Sequence, residues 1–169
     1  ETPLQNQAGG WNFEDVQADF RHGTNDQTHI EGFPDISSET AIGVELKSDA
    51  PWIRSLTNTD LDAVRLRFKW GPLREQNAEN GDVKGIVIQY AIDLQTDGGT
   101  WAEVLNTQIA DKTSANYERS HRIDLPKADI GWTIRVRRIT PNSTSEYISD
   151  KMYVDALTEV IDLKLSYPN

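Results

Sequence analysis

Hydrophobic and polar residues alternate with a period of two along most of this chain. The segment AVRLRFKW, residues 63–70, has apolar residues at every second position and basic residues between them. Because successive side chains of a β-strand point to opposite faces, this pattern predicts a strand with one face in the core and one in water. The inward residues are Val64, Leu66, Phe68 and Trp70, and the outward ones are Arg65, Arg67 and Lys69.

Further segments alternate in the same way. Asp97-Gly98-Gly99 predicts a hairpin turn between a strand in GIVIQYAID and a strand at 101–105. Other strands are predicted in NYERSHRIDL, GWTIRVRRIT and near KMYVDALTEVI, and no long segment has the i, i+3, i+4, i+7 spacing of a helix. We therefore expect an all-β fold, an immunoglobulin or fibronectin type III-like β-sandwich with an N-terminal β-rich extension. The expected inward residues are Ile86, Ile88, Tyr90, Ile92, Tyr117, His121, Ile123, Trp132, Ile134 and Val136.

The pattern also suggests a domain organisation. Residues 1–57 are expected to form a polar leader and a β-rich extension that packs on the sandwich and adds edge strands or a small annex. The sandwich itself is expected over residues 58–161, and 162–169 should begin the connection to a next domain, since TEVIDLKLSYPN still alternates where it stops. We expect the chain to be an internal section of a longer protein.

Composition narrows the function classes. The net charge is −10, from 17 Lys and Arg against 27 Asp and Glu, which argues against binding to nucleic acid phosphates. The chain has no cysteine, which excludes disulfides, cysteine-ligated zinc and cysteine nucleophiles. No apolar run approaches the length of about 20 residues that spans a bilayer.

RHGTNDQ, residues 21–27, has the composition of an active-site loop. His22 could act as a general base oriented by Asp26. Alternatively, Gly23 and Asn25 supply turn geometry while Thr24 and Asp26 cap the turn backbone. No nucleophile or metal ligand stands at a recognisable spacing, so the structural interpretation is favoured over catalysis. The loop comprises Arg21, His22, Gly23, Thr24, Asn25, Asp26 and Gln27.

The remaining titratable residues give no cofactor or metal site. His29 and His121 lack the spacing that aims two imidazoles at one ion, and His121 is expected to be a hydrogen-bonded core residue. Asp60 and Asp62 flank Leu61, but the other ligands of a calcium loop are absent from the sequence around them. A solvated loop is favoured there.

Two basic stripes stand out in an acidic chain: Arg65, Arg67 and Lys69, and Arg135 with Arg137. Each could form an anion-binding surface. Each could instead pair with carboxylates on neighbouring strands and protect the sheet from aggregation, which is the commoner arrangement.

Several segments, taken in order, resemble the host specificity protein J, or tail tip attachment protein, of lambda-like tailed phages and prophages. They are GWNFEDVQADFRHGTNDQ, IEGFPDI, LDAVRLRFKWGPL, GDVKGIVIQYAIDLQTDGGTW, YERSHRIDLP, GWTIRVRRITPNSTS and TEVIDLKLSYPN. Within them, LPKADIGWTIRVRRIT resembles the E–F corner of a fibronectin type III module, with Trp132 where a tyrosine is usual.

The resemblance implies a non-enzymatic structural and recognition segment that takes part in tail tip assembly and host attachment. It implies a virion tail tip location after synthesis in the bacterial cytoplasm, and it supplies no catalytic or cofactor residues. The implied partners are other domains and copies of the parent protein (a trimer in the assembled tip), other tail proteins and a possible outer-membrane receptor. In a protein of this kind the loop at residues 21–27 is implied to be a shaped docking loop that contacts a neighbouring domain or subunit. Scaffold is favoured over receptor contact.

A different class remains open from the residues alone. A carbohydrate-binding or accessory β-sandwich module could use tryptophans as stacking platforms, with Trp52 and Trp101 as the candidates. An enzyme is the least favoured class.

Overall fold

The computed structural model describes residues 34–162, with side chains from residue 37. Within that range the chain forms eleven β-strands and no helix, which confirms the all-β prediction, and nothing there could cross a membrane as a helix. The strands are β1 (Pro34–Glu45), β2 (Trp52–Leu56), β3 (Ala63–Trp70), β4 (Arg74–Gln76), β5 (Val83–Lys84), β6 (Ile86–Thr96), β7 (Trp101–Asp111), β8 (Tyr117–Asp124), β9 (Trp132–Arg138), β10 (Ile148–Ser149) and β11 (Met152–Asp162).

The strands form two four-stranded sheets and one small sheet. Sheet I has the order β1-β11-β3-β8, and sheet II has the order β2-β9-β6-β7. The small sheet is β10-β4-β5, and all pairings are antiparallel. One cluster of buried side chains draws on both four-stranded sheets. The two sheets thus make a sandwich around a shared core.

Where apolar and polar residues alternate along β3, buried and partly exposed side chains alternate in the structure. All four predicted inward residues of β3 are fully buried, while Arg65, Arg67 and Lys69 are half-exposed between them. On β6, Ile88, Tyr90 and Ile92 are buried as predicted and Ile86 is partly buried. The turn at Asp97-Gly98-Gly99 joins β6 to β7, and positive φ angles of 51° at Asp97 and 69° at Gly98 fit a tight hairpin.

β7 continues beyond the strand predicted at 101–105 and ends at Asp111. It pairs only with β6 and lies at the edge of sheet II. The half of β7 beyond residue 105 is mostly polar because an edge strand contributes few side chains to the core. The hydrophobic pattern therefore predicted a strand shorter than the observed one.

The order of strands differs from that of an immunoglobulin sandwich in one respect. There, strand B lies between A and E, and strand F lies between C and G. Here β3, β6, β7, β8 and β9 take the places of B, C, C′, E and F. β11 lies beside β3, in the place that the first strand, A, has beside B. β2 lies beside β9, in the place that the last strand, G, has beside F. Strands from opposite ends of the chain have thus exchanged these two places.

The boundary predicted at residue 58 lies in the loop between β2 and β3. β1 and β2 precede it, and they are edge strands of sheet I and sheet II, joined to β11 and β9 by backbone pairing. Residues Pro34–Asp162 form one unit. Edge strands from this segment were expected from the sequence, and such strands have weak hydrophobic alternation. The rest of the predicted extension, the docking loop at 21–27 and the connection at 163–169 lie outside the described residues.

Candidate functional surfaces

The basic stripe on β9 is neutralised by its neighbours. Asp93 on β6, with its side chain 3% exposed, accepts hydrogen bonds from Arg135 Nε at 2.8 Å and from Arg137 Nε at 2.6 Å. Arg137 also reaches Glu103 on β7, at 2.9 Å. The hydrogen bond from Arg137, more than any other contact, holds the pKa of Asp93 below its usual value. Two cations and two anions therefore form one network on the outer face of sheet II.

Trp101 belongs to the same face. The guanidinium carbon of Arg135 lies 4.3 Å from the centre of its indole ring, a cation–π contact. The arginine occupies a ring face that a sugar would need for stacking. Trp52 is half-buried on β2 and packs against the core. These positions weigh against a carbohydrate-binding module.

The stripe on β3 is only partly paired. Arg67 bonds Asp155 on β11 at 2.8 Å and Glu39 on β1 at 3.2 Å. Arg65 lies opposite Arg122 of β8 in the register, and no ion pair links Arg65 or Lys69 to another residue within 37–162. Lys69 lies opposite Glu118 of β8, so Arg65 is the residue of this stripe that has neither such an ion pair nor a carboxylate opposite it in the register.

Asp97 connects the β6–β7 turn to the segment before β9. Its carboxylate accepts hydrogen bonds from the backbone N–H groups of Asp129 (3.1 Å), Ile130 (2.7 Å) and Gly131 (3.1 Å), and its own N–H donates to the Gly131 carbonyl at 2.9 Å. These N–H donors, Ile130 first, lower the pKa of Asp97. The sequence had shown Asp97 only as a turn residue.

Trp132 performs the role that a tyrosine usually has at this corner. In related sandwiches a tyrosine hydroxyl near the start of strand F bonds the backbone a few residues upstream. Here the Trp132 indole N–H donates to the Pro126 carbonyl at 2.9 Å. The substitution noted in the sequence therefore preserves the hydrogen bond.

His121 lies where the sequence placed it, in contact with the core. Its Nε2 lies 2.7 Å from the Tyr90 hydroxyl, and its ring packs beside Phe68 and Tyr90 at centroid distances of 5.9 and 5.8 Å. Burial, and then the charge of Arg119, lower the pKa of His121. Within residues 37–162 no three His, Asp or Glu side chains gather as they would around a metal.

Asp62, weighed above as a possible calcium ligand, instead accepts a hydrogen bond from the Asp162 backbone N–H at 2.9 Å. Its backbone N–H donates to Val160 at 3.0 Å. Asp60 is exposed in the same loop. This loop therefore anchors the end of β11.

Arg138 was missed by the sequence reasoning. Its guanidinium is fully buried and donates to the backbone carbonyls of Thr140 (2.8 Å) and Asp150 (2.5 Å) and to the Asp150 carboxylate (2.5 Å). It thereby fixes both ends of the segment between β9 and β11. The signal was present, because position 138 continues the inward series of Trp132, Ile134 and Val136.

The fold and these contacts describe a fibronectin type III-like sandwich whose buried charges hold its own strands and turns together. The chain belongs to the family described as the FNIII-A domain of tip attachment protein J, whose family model matches residues 36–163.

Two curated relatives, both named tip attachment protein J, match almost the whole chain. The protein of Escherichia phage SECphi27 is 41% identical over 168 residues, which is 99% of this chain and 14% of that protein. The protein of Escherichia phage SECphi4 is 40% identical over 168 residues, 99% of this chain and 15% of that protein. The chain thus spans about one seventh of these relatives.

Solved structures resemble it only distantly. A structure of pili from Bacillus endospore appendages covers 83% of this chain and 100% of its own, at 11% identity and a TM-score of 0.34. The CBM22-1 xylan-binding domain of Paenibacillus barcinonensis Xyn10C covers 85% of each chain, at 9% identity and a TM-score of 0.38. Neither adds to the family assignment.

Proposed function

We propose that this chain is a non-enzymatic structural segment of a phage tail tip attachment protein, synthesised in the host cytoplasm and built into the virion tail tip. Family membership at about 40% identity carries the proposal. The parent protein as a whole would take part in tip assembly and host attachment.

Scaffold is the role that fits this segment best. Its most buried ionic groups, Asp93 and Arg138, form hydrogen bonds within the sandwich that hold strands and loops together. Such networks favour rigidity over adaptable recognition. The partners would be other domains and copies of the parent protein, in a trimer at the assembled tip, and other tail proteins.

The docking loop at residues 21–27 is the candidate contact with a neighbouring domain or subunit. Its arginine, histidine, aspartate and amides offer hydrogen bonds to a protein surface. Arg65 of the β3 stripe, which has no carboxylate opposite it in the register, is a second candidate contact, for an acidic partner.

Binding to host membranes separates scaffold from receptor contact. The labelled fragment would be titrated against outer-membrane vesicles from a panel of enteric bacteria, beside a variant with His22→Ala and Asp26→Ala. A scaffold binds none of the strains above background while remaining folded by circular dichroism. Saturable binding to some strains only, weakened in the loop variant, would place this segment in the receptor-reading surface.

A further inference from the structure

Two dipeptides in this chain have the sequence in which the next backbone nitrogen most readily attacks a side-chain carbonyl carbon. Asn80-Gly81 is the only Asn-Gly in the sequence, and Asp97-Gly98 is the only Asp-Gly. Glycine favours this reaction because it has no side chain to hinder its own nitrogen. The two dipeptides have different surroundings in the structure, so their reactivity should differ.

Asn80-Gly81 lies in the loop between β4 and β5, where residues 77–82 are all exposed. The Asn80 side-chain oxygen accepts the Asp82 N–H at 3.0 Å, which forms an Asx turn across Gly81. This turn bends the Asn80 side chain back over the following backbone, so its carbonyl carbon lies next to the Gly81 nitrogen. Beyond the neighbouring residues, no described atom lies within 4 Å of the place that a Gly81 Cβ would take, so the dipeptide is open to water.

The hydrogen bonds of this loop hold the reacting atoms without blocking them. The Asp82 N–H polarises the Asn80 carbonyl, and the Asp82 carboxylate accepts the Asn80 side-chain N–H at 2.9 Å. The Gly81 N–H donates to the Asn77 carbonyl at 2.9 Å. An N–H bond lies in the peptide plane, whereas the nitrogen attacks perpendicular to that plane, so its approach to the carbon stays open.

Asp97-Gly98 has the opposite arrangement. The Asp97 carboxylate is held by the backbone N–H groups of residues 129–131, which belong to a different segment. It would have to give up these bonds to react with Gly98, and hydrogen bonds to a charged group are strong. These N–H donors, Ile130 first, also lower the pKa of Asp97, so less of the protonated acid that can lose water is present.

We propose that Asn80 modifies itself in the folded protein: the Gly81 nitrogen bonds to the Asn80 side-chain carbon, and a succinimide ring closes as ammonia leaves. The nitrogen loses its proton as the new bond forms, and the Asn80 amide group departs as NH3. Water then opens the ring. Addition at the side-chain carbonyl gives aspartate, and addition at the backbone carbonyl gives isoaspartate. Water is the only co-reactant, and the proposal does not depend on the tail tip assignment.

The first test incubates the purified 169-residue chain in mildly alkaline buffer and then digests it with trypsin. Peptide 75–84 contains Asn80 together with Asn77, which is a matched internal control. The Asn77 side-chain oxygen accepts the Glu79 N–H at 2.8 Å in the same kind of turn, but Ala78 follows it instead of glycine. Mass spectrometry locates the exchange of an amide for an acid, and an isoaspartyl methyltransferase detects isoaspartate.

Asn80 should react at least about tenfold faster than Asn77, the factor that a barrier difference of about 1.4 kcal/mol produces. Asn80→Gln should abolish the signal, because glutamine would have to close a larger ring. Ala78→Gly gives Asn77 the neighbour that Asn80 has, and it should make Asn77 a second site. Equal rates at Asn80 and Asn77 in the wild type, or no reaction at Asn77 in the Ala78→Gly variant, would overturn the proposal.

The contribution of the fold is tested by the same incubation in guanidinium chloride. Unfolding frees the Asp97 carboxylate, so isoaspartate at Asp97 should form at least about tenfold faster than in the folded chain, the factor expected from the loss of one hydrogen bond to a charged group. The rate at Asn80 should change little. A rate at Asn80 that rises on unfolding as much as the rate at Asp97 would show that the fold protects both dipeptides, and would contradict the proposal.

Discussion

Charged side chains with low exposure are the residues on which this sandwich depends most. Asp93 joins β6 to two arginines of β9, and Arg138 fixes the loop that follows β9. Burying a charge is costly unless it is paired and hydrogen-bonded, so each of these groups is informative when its partner is removed.

Asp93→Asn should lower the free energy of unfolding by about 2 kcal/mol, because hydrogen bonds to a charged group are lost and two arginines keep their like charges in proximity. The estimate is below that for a fully buried pair because the side chains of Arg135 and Arg137 are 27% and 35% exposed. Urea denaturation at pH 7 measures it. Glu103→Gln, at an exposed site, should cost less than about 1 kcal/mol, and equal effects would contradict the role given to Asp93.

His121 should make the protein less stable in mild acid. Its pKa is lowered in the folded state by burial and by Arg119, so the unfolded chain takes up a proton first as the pH falls. The stability that neutral His121 contributes is complete above its ordinary value of 6.5 and decreases as the pH falls below it.

Urea midpoints at several pH values between 7.5 and 5 test this directly. His121→Gln keeps a partner for Tyr90 but cannot take up the proton. The wild type should lose stability over this range more steeply than the variant. Parallel profiles would show that other groups cause the pH dependence.

At the scale of elements, the longer strands with a clear apolar face were predictable and the short ones were not. β3 and β9 are buried on one face, and their alternation of apolar and polar residues reports it directly, whereas in β6 every residue from Tyr90 to Leu94 is buried. β1 and β2 lie at sheet edges, and β4, β5 and β10 have two or three residues each, so burial imposes little pattern on them.

For the candidate surfaces, too, the sequence predicted some features and not others. His121 and the basic stripes were visible as positions in an alternating series, but which carboxylate meets which arginine depends on the register between distant strands. Asp93 and Arg137 are 44 residues apart and meet only because β6 pairs with β9. The docking loop at 21–27 stays a prediction.

Gly131 tests the contact between the corner before β9 and the end of β2. Its φ is 136°, and a Cβ there would lie 2.2 Å from the Leu56 carbonyl oxygen. Gly131→Ala should therefore destabilise the fold by about 3 kcal/mol or more, from strain and the shift of backbone. Gly98→Ala is the matched control, because its φ is 69° but a Cβ would meet open space. It should cost about 1 kcal/mol, and similar losses in thermal denaturation would refute the close contact.

At the scale of the whole molecule, the exchange of first and last strand positions could not be read from the sequence. A hydrophobic pattern shows which face of a strand is buried, but the partner of a strand at the chain's end is chosen by non-local pairing. Because β1 adds outside β11 as an extra edge strand, the first and last described strands are neighbours.

Electron cryomicroscopy of intact tails from a phage that encodes this chain tests the central claim most directly. The account predicts density at the tail tip for a sandwich of two four-stranded sheets in which β1 and β11 are adjacent. A resolved tip without density for this fold would contradict the assignment of the segment to the tail tip scaffold.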